Sequence, residues 1–197
     1  MRNRLALLLV LAIAAATGQV SFASDKRSEW GPSVNGLQMS LRSSKTHYAK
    51  ADDVIFVVAF KNPETNKFDR QSGRLENHDQ MLNIGDRLGN GTQMPTALSF
   101  KLTKGYETPI ILKYHGYIPG IVGSLNVLAL PLRAGSMHQL SFPLHELALQ
   151  PIPAGRYQVI CSYEGKQTVR RNPMFLRFWE GSLVSNTIEV TLEEGVD

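Results

Sequence analysis

Apolar side chains recur at every second residue along this chain, and no long segment repeats them at the helical period of about 3.6. Leu37, Met39 and Leu41 alternate with polar neighbours. So do Leu98, Phe100 and Leu102, then Tyr157, Val159 and Cys161, then Ile188, Val190 and Leu192. A period of two is that of a strand with one face in a core. Val54 to Phe60 is a continuous β-branched and aromatic run, which predicts a central strand buried on both faces or close to the core. Leu125 to Leu130 predicts a further strand closed by Pro131. Met137, Leu140 and Phe142 mark another, and Val184 to Leu192 the last. Turn residues separate these runs at Asn62-Pro63, Pro119-Gly120, Ala134-Gly135, Pro153-Ala154-Gly155 and Glu164-Gly165. The one helical candidate, Leu144 to Leu149, is a turn or two long. Strands that follow one another without helices predict an all-β, antiparallel β-sandwich with long loops. Pro131, Pro143 and Pro173 mark edges or bulges, where a missing N–H is tolerated.

The first residues have a different character. Arg2 and Arg4 precede the apolar run Leu5 to Ala16, and Ser21-Phe22-Ala23 places small residues around a cut after Ala23. This is the order of a secretory signal peptide, and the run is shorter than the roughly 20 residues a spanning helix needs. The expected organisation is a signal peptide at 1–23 and a single β-sandwich domain at 24–197, exported to the periplasm or beyond the cell. No membrane span is expected once the signal is removed. The formal charge of +4 includes Arg2 and Arg4, and the remaining basic residues are dispersed, which argues against nucleic acid. The lone cysteine, Cys161, sits in an alternating apolar run and reads as a buried thiol acting as a small hydrophobe.

Short motifs lead into the strands. Trp30-Gly31-Pro32-Ser33-Val34-Asn35-Gly36-Leu37 opens the first. Tyr48 with Ala49-Lys50-Ala51-Asp52-Asp53 precedes Val54–Phe60. Pro153-Ala154-Gly155-Arg156-Tyr157-Gln158-Val159 opens the penultimate strand, and Trp179-Glu180-Gly181-Ser182-Leu183-Val184-Ser185-Asn186 precedes the last. This order resembles the immunoglobulin-like, BsuPI-type (intracellular proteinase inhibitor-like) sandwich modules of exported bacterial proteins, with Ala49-Lys50 in place of the usual Gly-Glu approach. The resemblance implies an immunoglobulin-like sandwich. Its motifs specify turns and core positions rather than chemistry. Independently of it, Tyr157 offers a ring to the core and a hydroxyl to a backbone partner, as in a tyrosine corner.

Catalytic signatures are missing from the sequence: it has no Gly-x-Ser-x-Gly elbow, no HExxH, no Walker loop and no dinucleotide glycine pattern. No catalytic residue, resident cofactor or metal ligand is assigned. His47, His78, His115, His138 and His145 lack metal-ligand spacing. An alternative reading is a periplasmic copper- or zinc-binding module, with thioether and imidazole ligands from His78 with Met81 and Met137 with His138. Against it, strand alternation would turn Met137 inward and His138 to water. The polar stretch Asn62 to Met94 reads as a long loop with a weak strand at Met81–Ile84. Its segment Asp79–Thr92 could offer oxygen ligands to calcium, without EF-hand spacing.

The strongest binding candidate is the aromatic and basic stretch Arg170–Trp179, with Arg171, Phe175, Arg177, Phe178 and Trp179 as the binding residues and a protein or glycan as the partner. Tryptophan and arginine are enriched at interface hot spots. The competing reading is that Phe175, Phe178 and Trp179 cap one end of the core. The functional expectation is a non-enzymatic, exported or envelope-associated binding protein.

Overall fold

The computed structural model describes residues 29–87, 93–94, 97–114, 127–166 and 177–193. The expected signal peptide, Arg171, Phe175, His115, Pro173 and the Pro119-Gly120 turn lie outside these residues. The described residues form strands with one four-residue α-helix, α1 (Leu144–Leu147), inside the helical candidate read from the sequence.

Two sheets face each other. The first has the order β1 (Gln38–Ser43), β3 (Ile55–Lys61), β11 (Met137–Pro143), all antiparallel. The second runs β2 (His47–Tyr48), β14 (Ile188–Leu192), β12 (Gly155–Gly165), β8 (Leu98–Thr103), β9 (Ile110–Leu112), with β13 (Gly181–Val184) also on β12. Its β2–β14 pair is parallel, a departure from the wholly antiparallel expectation. A third, smaller sheet holds β10 (Val127–Leu132), β6 (Gln80–Arg87) and β7 (Gln93–Met94). A two-stranded hairpin, β4 (Lys67–Asp69) and β5 (Arg74–Glu76), stands apart. The architecture is an all-β sandwich.

The core forms where the inner faces meet. Phe56, Val58 and Phe60 of β3 and Phe142 of β11 point inward from the first sheet. Phe100 of β8 and Tyr157, Val159, Cys161 and Tyr163 of β12 answer from the second. The continuous run in β3 is therefore not buried on both faces. Ile55, on the outer face, is 43% exposed and Val57 half-buried, so only the Phe56 face meets a facing sheet. Pro131 and Pro143 sit in outer strands, where no ladder bond is lost on the solvent side.

The strand expected over Val184–Leu192 is two strands, because Ser185 and Asn186 turn away to close gaps. The Ser185 hydroxyl accepts from the Cys161 N–H at 3.0 Å, and the Ser185 N–H donates to the Cys161 carbonyl at 2.9 Å. This carries the β12 ladder across the break between β13 and β14. Asn186 then reaches to the opposite sheet. Its Oδ1 accepts from the Leu41 N–H at 2.8 Å, and its Nδ2 donates to the Leu41 carbonyl at 3.0 Å. One carboxamide thus supplies both bonds a neighbouring strand would have given β1. Tyr157 makes the expected corner: its hydroxyl donates to the Pro153 carbonyl, four residues upstream, at 2.7 Å.

Replacing Asn186 with Ala leaves both Leu41 groups without these partners, and unpaired, partly buried backbone groups cost about 1–3 kcal/mol. Urea unfolding of Asn186→Ala should lose stability in that range at an unchanged m-value. A loss within error would show that the seam is satisfied by water.

Candidate functional site: a braced hairpin arm

The aromatic and basic stretch splits in the structure. Arg177 is exposed, whereas Phe178 and Trp179 are each only 5% exposed. Trp179 belongs to the core. Its ring lies 5.9 Å from that of Tyr163, its indole N–H donates to the Asn35 carbonyl at 3.2 Å, and its backbone N–H donates to the Met81 carbonyl at 2.8 Å. Gly165 and Gly181, paired across β12 and β13, lie beneath the ring. A Cβ on either would come within 2.7 Å of Trp179. The glycines make room for the indole, which fastens the Asn35 turn to the second sheet, while the Trp179 backbone fastens β6. The exposed-anchor reading of Phe178 and Trp179 thus gives way, at these two residues, to the core-capping one.

Two exposed apolar groups lie in the stretch read from the sequence as a long polar loop. Residues 67–76 form the β4–β5 hairpin, exposed throughout. Phe68 and Leu75 stand opposite each other on one face, 62% and 60% exposed. On the other face Lys67 opposes Glu76 and Asp69 opposes Arg74, the opposite-charge arrangement that favours cross-strand pairing. The turn is closed by Asp69, whose carboxylate accepts from the Gln71 N–H at 2.9 Å and from the Ser72 hydroxyl. These bonds, the Ser72 one foremost, hold the Asp69 carboxyl below its usual range. Gly73 adopts φ +66°, a left-handed conformation that a non-glycine residue enters only with strain.

A two-stranded hairpin alone is marginal in water. This one is held at its base by carboxamides and a carboxylate. Asn62, fully buried at the end of β3, donates to the His78 carbonyl at 2.8 Å and the Leu132 carbonyl at 3.3 Å. Asn66 accepts from the His78 N–H at 2.7 Å and donates to Asp79 at 3.3 Å. Asp79 also accepts from the Ala134 N–H at 2.8 Å. The two legs of the hairpin are thereby tied to each other and to the β10–β11 turn. The signal for the arm was present as Phe68 and Leu75 at mirrored positions around an Asp-x-x-Ser-Gly turn. Three-residue strands carry too little alternation to stand out from a polar stretch.

Among the described residues the remaining candidates are Cys161, Tyr114, one cleft and the His–Met pair of β11. Burial pushes the Cys161 thiol up, which leaves it protonated and inert. Tyr114 packs edge-on against Phe142 at 4.9 Å, and burial together with the Glu146 carboxylate pushes its hydroxyl up as well. A shallow cleft of about 440 Å³ lies between Trp30–Pro32 and Ser185–Thr187. Its Ser185 and Asn186 are already engaged in the strand seams. Met137 does not turn inward as alternation suggested. It shares the outer face of β11 with Gln139 and Ser141 and is 51% exposed, while His138 is exposed on the other face. The two therefore do not converge. Among the described residues no three His, Cys, Asp or Glu side chains come together as a metal site.

No known family model matches the chain, and no curated protein does. Among solved structures it is similar to the crystal structure of Spo0M, a sporulation control protein from Bacillus subtilis, at 11% identity and a TM-score of 0.39. The match covers 82% of this chain and 51% of that one, so the chain spans about half the length of that neighbour. So distant a likeness assigns neither activity nor partner.

Two predictions follow from the geometry. Trp179→Ala removes a core ring that packs on Tyr163 and bonds the Asn35 carbonyl, and large-to-small aromatic changes cost about 3–5 kcal/mol. Chemical denaturation should show that loss, and a loss under about 1 kcal/mol would return Trp179 to the interface reading. The second concerns pH. Asp79 has its folded pKa lowered, first by the Ala134 N–H, so its brace is complete above the ordinary carboxylate value of 3.8. It is lost as pH falls through the lowered value. Amide protection at Ala134, relative to the unfolded chain at the same pH, should therefore fall below that point in the native protein and be lost already in Asp79→Ala at neutral pH. Equal protection in both proteins would refute the brace.

Proposed function

We propose that this chain is an exported, non-enzymatic binding protein that engages a protein partner through the β4–β5 arm. The observation that carries this reading is the Phe68–Leu75 pair. Two large apolar side chains stand opposite each other on a hairpin anchored by hydrogen bonds, outside the hydrophobic core. Exposed apolar side chains that adjoin one another within a polar rim mark interaction sites. A pre-anchored arm loses little conformational entropy on docking, which favours affinity. The charged residues around the apolar face, Lys67, Arg70 and Arg74 with Asp69 and Glu76, fit the polar rim of an interface. The export reading is supported by residues 1–23 of the sequence, and the non-enzymatic reading by the lack of catalytic motifs.

The test is crosslinking of the purified protein to the envelope proteins of its host, with the linked peptides mapped by mass spectrometry. The expected partner links to residues 67–76 and binds Phe68→Ser/Leu75→Ser at least about tenfold more weakly, the loss of roughly 1.4 kcal/mol that a truncated anchor gives. Both side chains are exposed, so the double variant should melt with the wild type. A partner held equally by the variant, or no partner linked to the arm, overturns the proposal.

A further inference from the structure

The first sheet has two outer edges, and the chain treats them differently. The free edge of β1 is occupied: the Met39 carbonyl accepts from the Gly31 N–H at 2.9 Å, and both Leu41 backbone groups are bonded to Asn186. At the other edge, the Asn62 N–H donates to the Ser136 carbonyl at 3.0 Å, and the Leu144 N–H to the Val54 carbonyl at 2.9 Å. These two bonds fix the parity of the ladder between them. His138, Leu140 and Phe142 direct their backbone groups toward β3. Met137, Gln139 and Ser141 therefore direct theirs away from it. Among the described residues no donor or acceptor meets those groups.

This edge also lacks the usual protection. Exposed edges are blunted by short strands, charges, bulges or central prolines. Strands β2, β7 and β9 are two or three residues long, and β10 carries Pro131 within it. β11 runs seven residues in unbroken register, with no charged side chain from Met137 to Phe142 and its proline only at the last position. Met137, Gln139 and Ser141 are all exposed on its outer face.

We infer that β11 is a docking edge for a second copy of this chain, paired antiparallel about a two-fold axis at Gln139. The set Met137, Gln139, Ser141 maps onto itself under that axis. Gln139 faces its own mate, and Met137 faces Ser141 of the other copy, with each facing pair exchanging N–H and C=O groups. An isologous interface requires such self-complementarity. No like charges oppose each other across it, and the two three-stranded sheets become one of six. The inference does not depend on the arm, since Phe68 and Leu75 take no part in it.

Sedimentation equilibrium of the purified protein tests the pairing. A concentration-dependent monomer–dimer equilibrium is expected, and Gln139→Lys, which sets two ammonium groups together at the axis, should weaken it at least about tenfold. Gln139 is exposed, so this variant should fold, and an unchanged circular dichroism spectrum confirms that it does. The register is read separately by oxidative crosslinking. Gln139→Cys should form a disulfide-linked dimer, while Ser141→Cys, opposite Met137, should not; the buried Cys161 does not compete. A protein that stays monomeric to about 1 mM, a dimer unaffected by Gln139→Lys, or crosslinking through Ser141→Cys in preference would each overturn the inference.

Discussion

Phe100 sits between the two sheets, stacked on Phe56 at 5.7 Å and edge-on to Phe142 at 5.3 Å. A second group, Phe60 against Tyr163 at 5.3 Å and Tyr163 against Trp179, continues the same layer. These contacts join β3 and β11 to β8 and β12. The two sheets share no backbone ladder among the described residues, so apart from the Asn186 bonds to Leu41 their attachment is side-chain burial, at roughly 25 cal/mol per Å² of apolar surface. Aromatic rings supply the most area per residue and add about 0.5–1.5 kcal/mol per well-oriented pair. The third sheet is tied to the same layer by the Tyr163 hydroxyl, which donates to the Asn83 carbonyl at 3.1 Å.

Once the rings fix the separation of the sheets, their margins must be satisfied in place. The chain does this with side chains that imitate backbone. Asn186 acts as a peptide group toward Leu41, Ser185 toward Cys161, and Asn62 toward His78 and Leu132. Each occupies a point where one strand stops before its neighbour does. A carboxamide carries a donor and an acceptor at nearly the spacing of a peptide, so it completes a ladder without adding a strand. Losing such a group leaves backbone unpaired, which costs more than the bond contributes. That asymmetry makes the polar seams as necessary to the fold as its apolar centre.

Much of the sandwich was legible in the sequence, because period-two burial is a local signal. Met39, Leu41, Phe100, Leu102, Val159 and Val190 are all buried as alternation requires, and Cys161 is the small buried residue its context suggested. Tyr157 makes its corner within four residues, also a local relation. What was not legible depends on distant partners. β6 is eight residues long but appeared as a weak strand, since its flanks are polar and only pairing with β10 defines them. Ser185 and Asn186 read as part of a strand because their partners lie 24 and 145 residues away. At Phe178 and Trp179 the emphasis on an exposed cluster was misplaced for the same reason. Two glycines at positions 165 and 181 prepare a bed for Trp179, and nothing local reveals that they face each other.

Four of the exposed apolar residues divide by what surrounds them. Ile55 and Val184 lie on outer faces of strands whose alternate residues fill the core, so their exposure follows from strand geometry. Isolated residues of this kind are ordinary on protein surfaces. Phe68 and Leu75 belong to strands with no inner face at all, so no core requirement placed them there. The fold nevertheless supports their hairpin with Asn66 and Asp79, two exposed polar side chains, together with Asn62, which also closes a seam of the sandwich. A buried asparagine at the end of the central strand ties the base of that hairpin to the adjoining sheet. The same physical device that closes the margins of the sandwich thus also holds an apolar surface away from it.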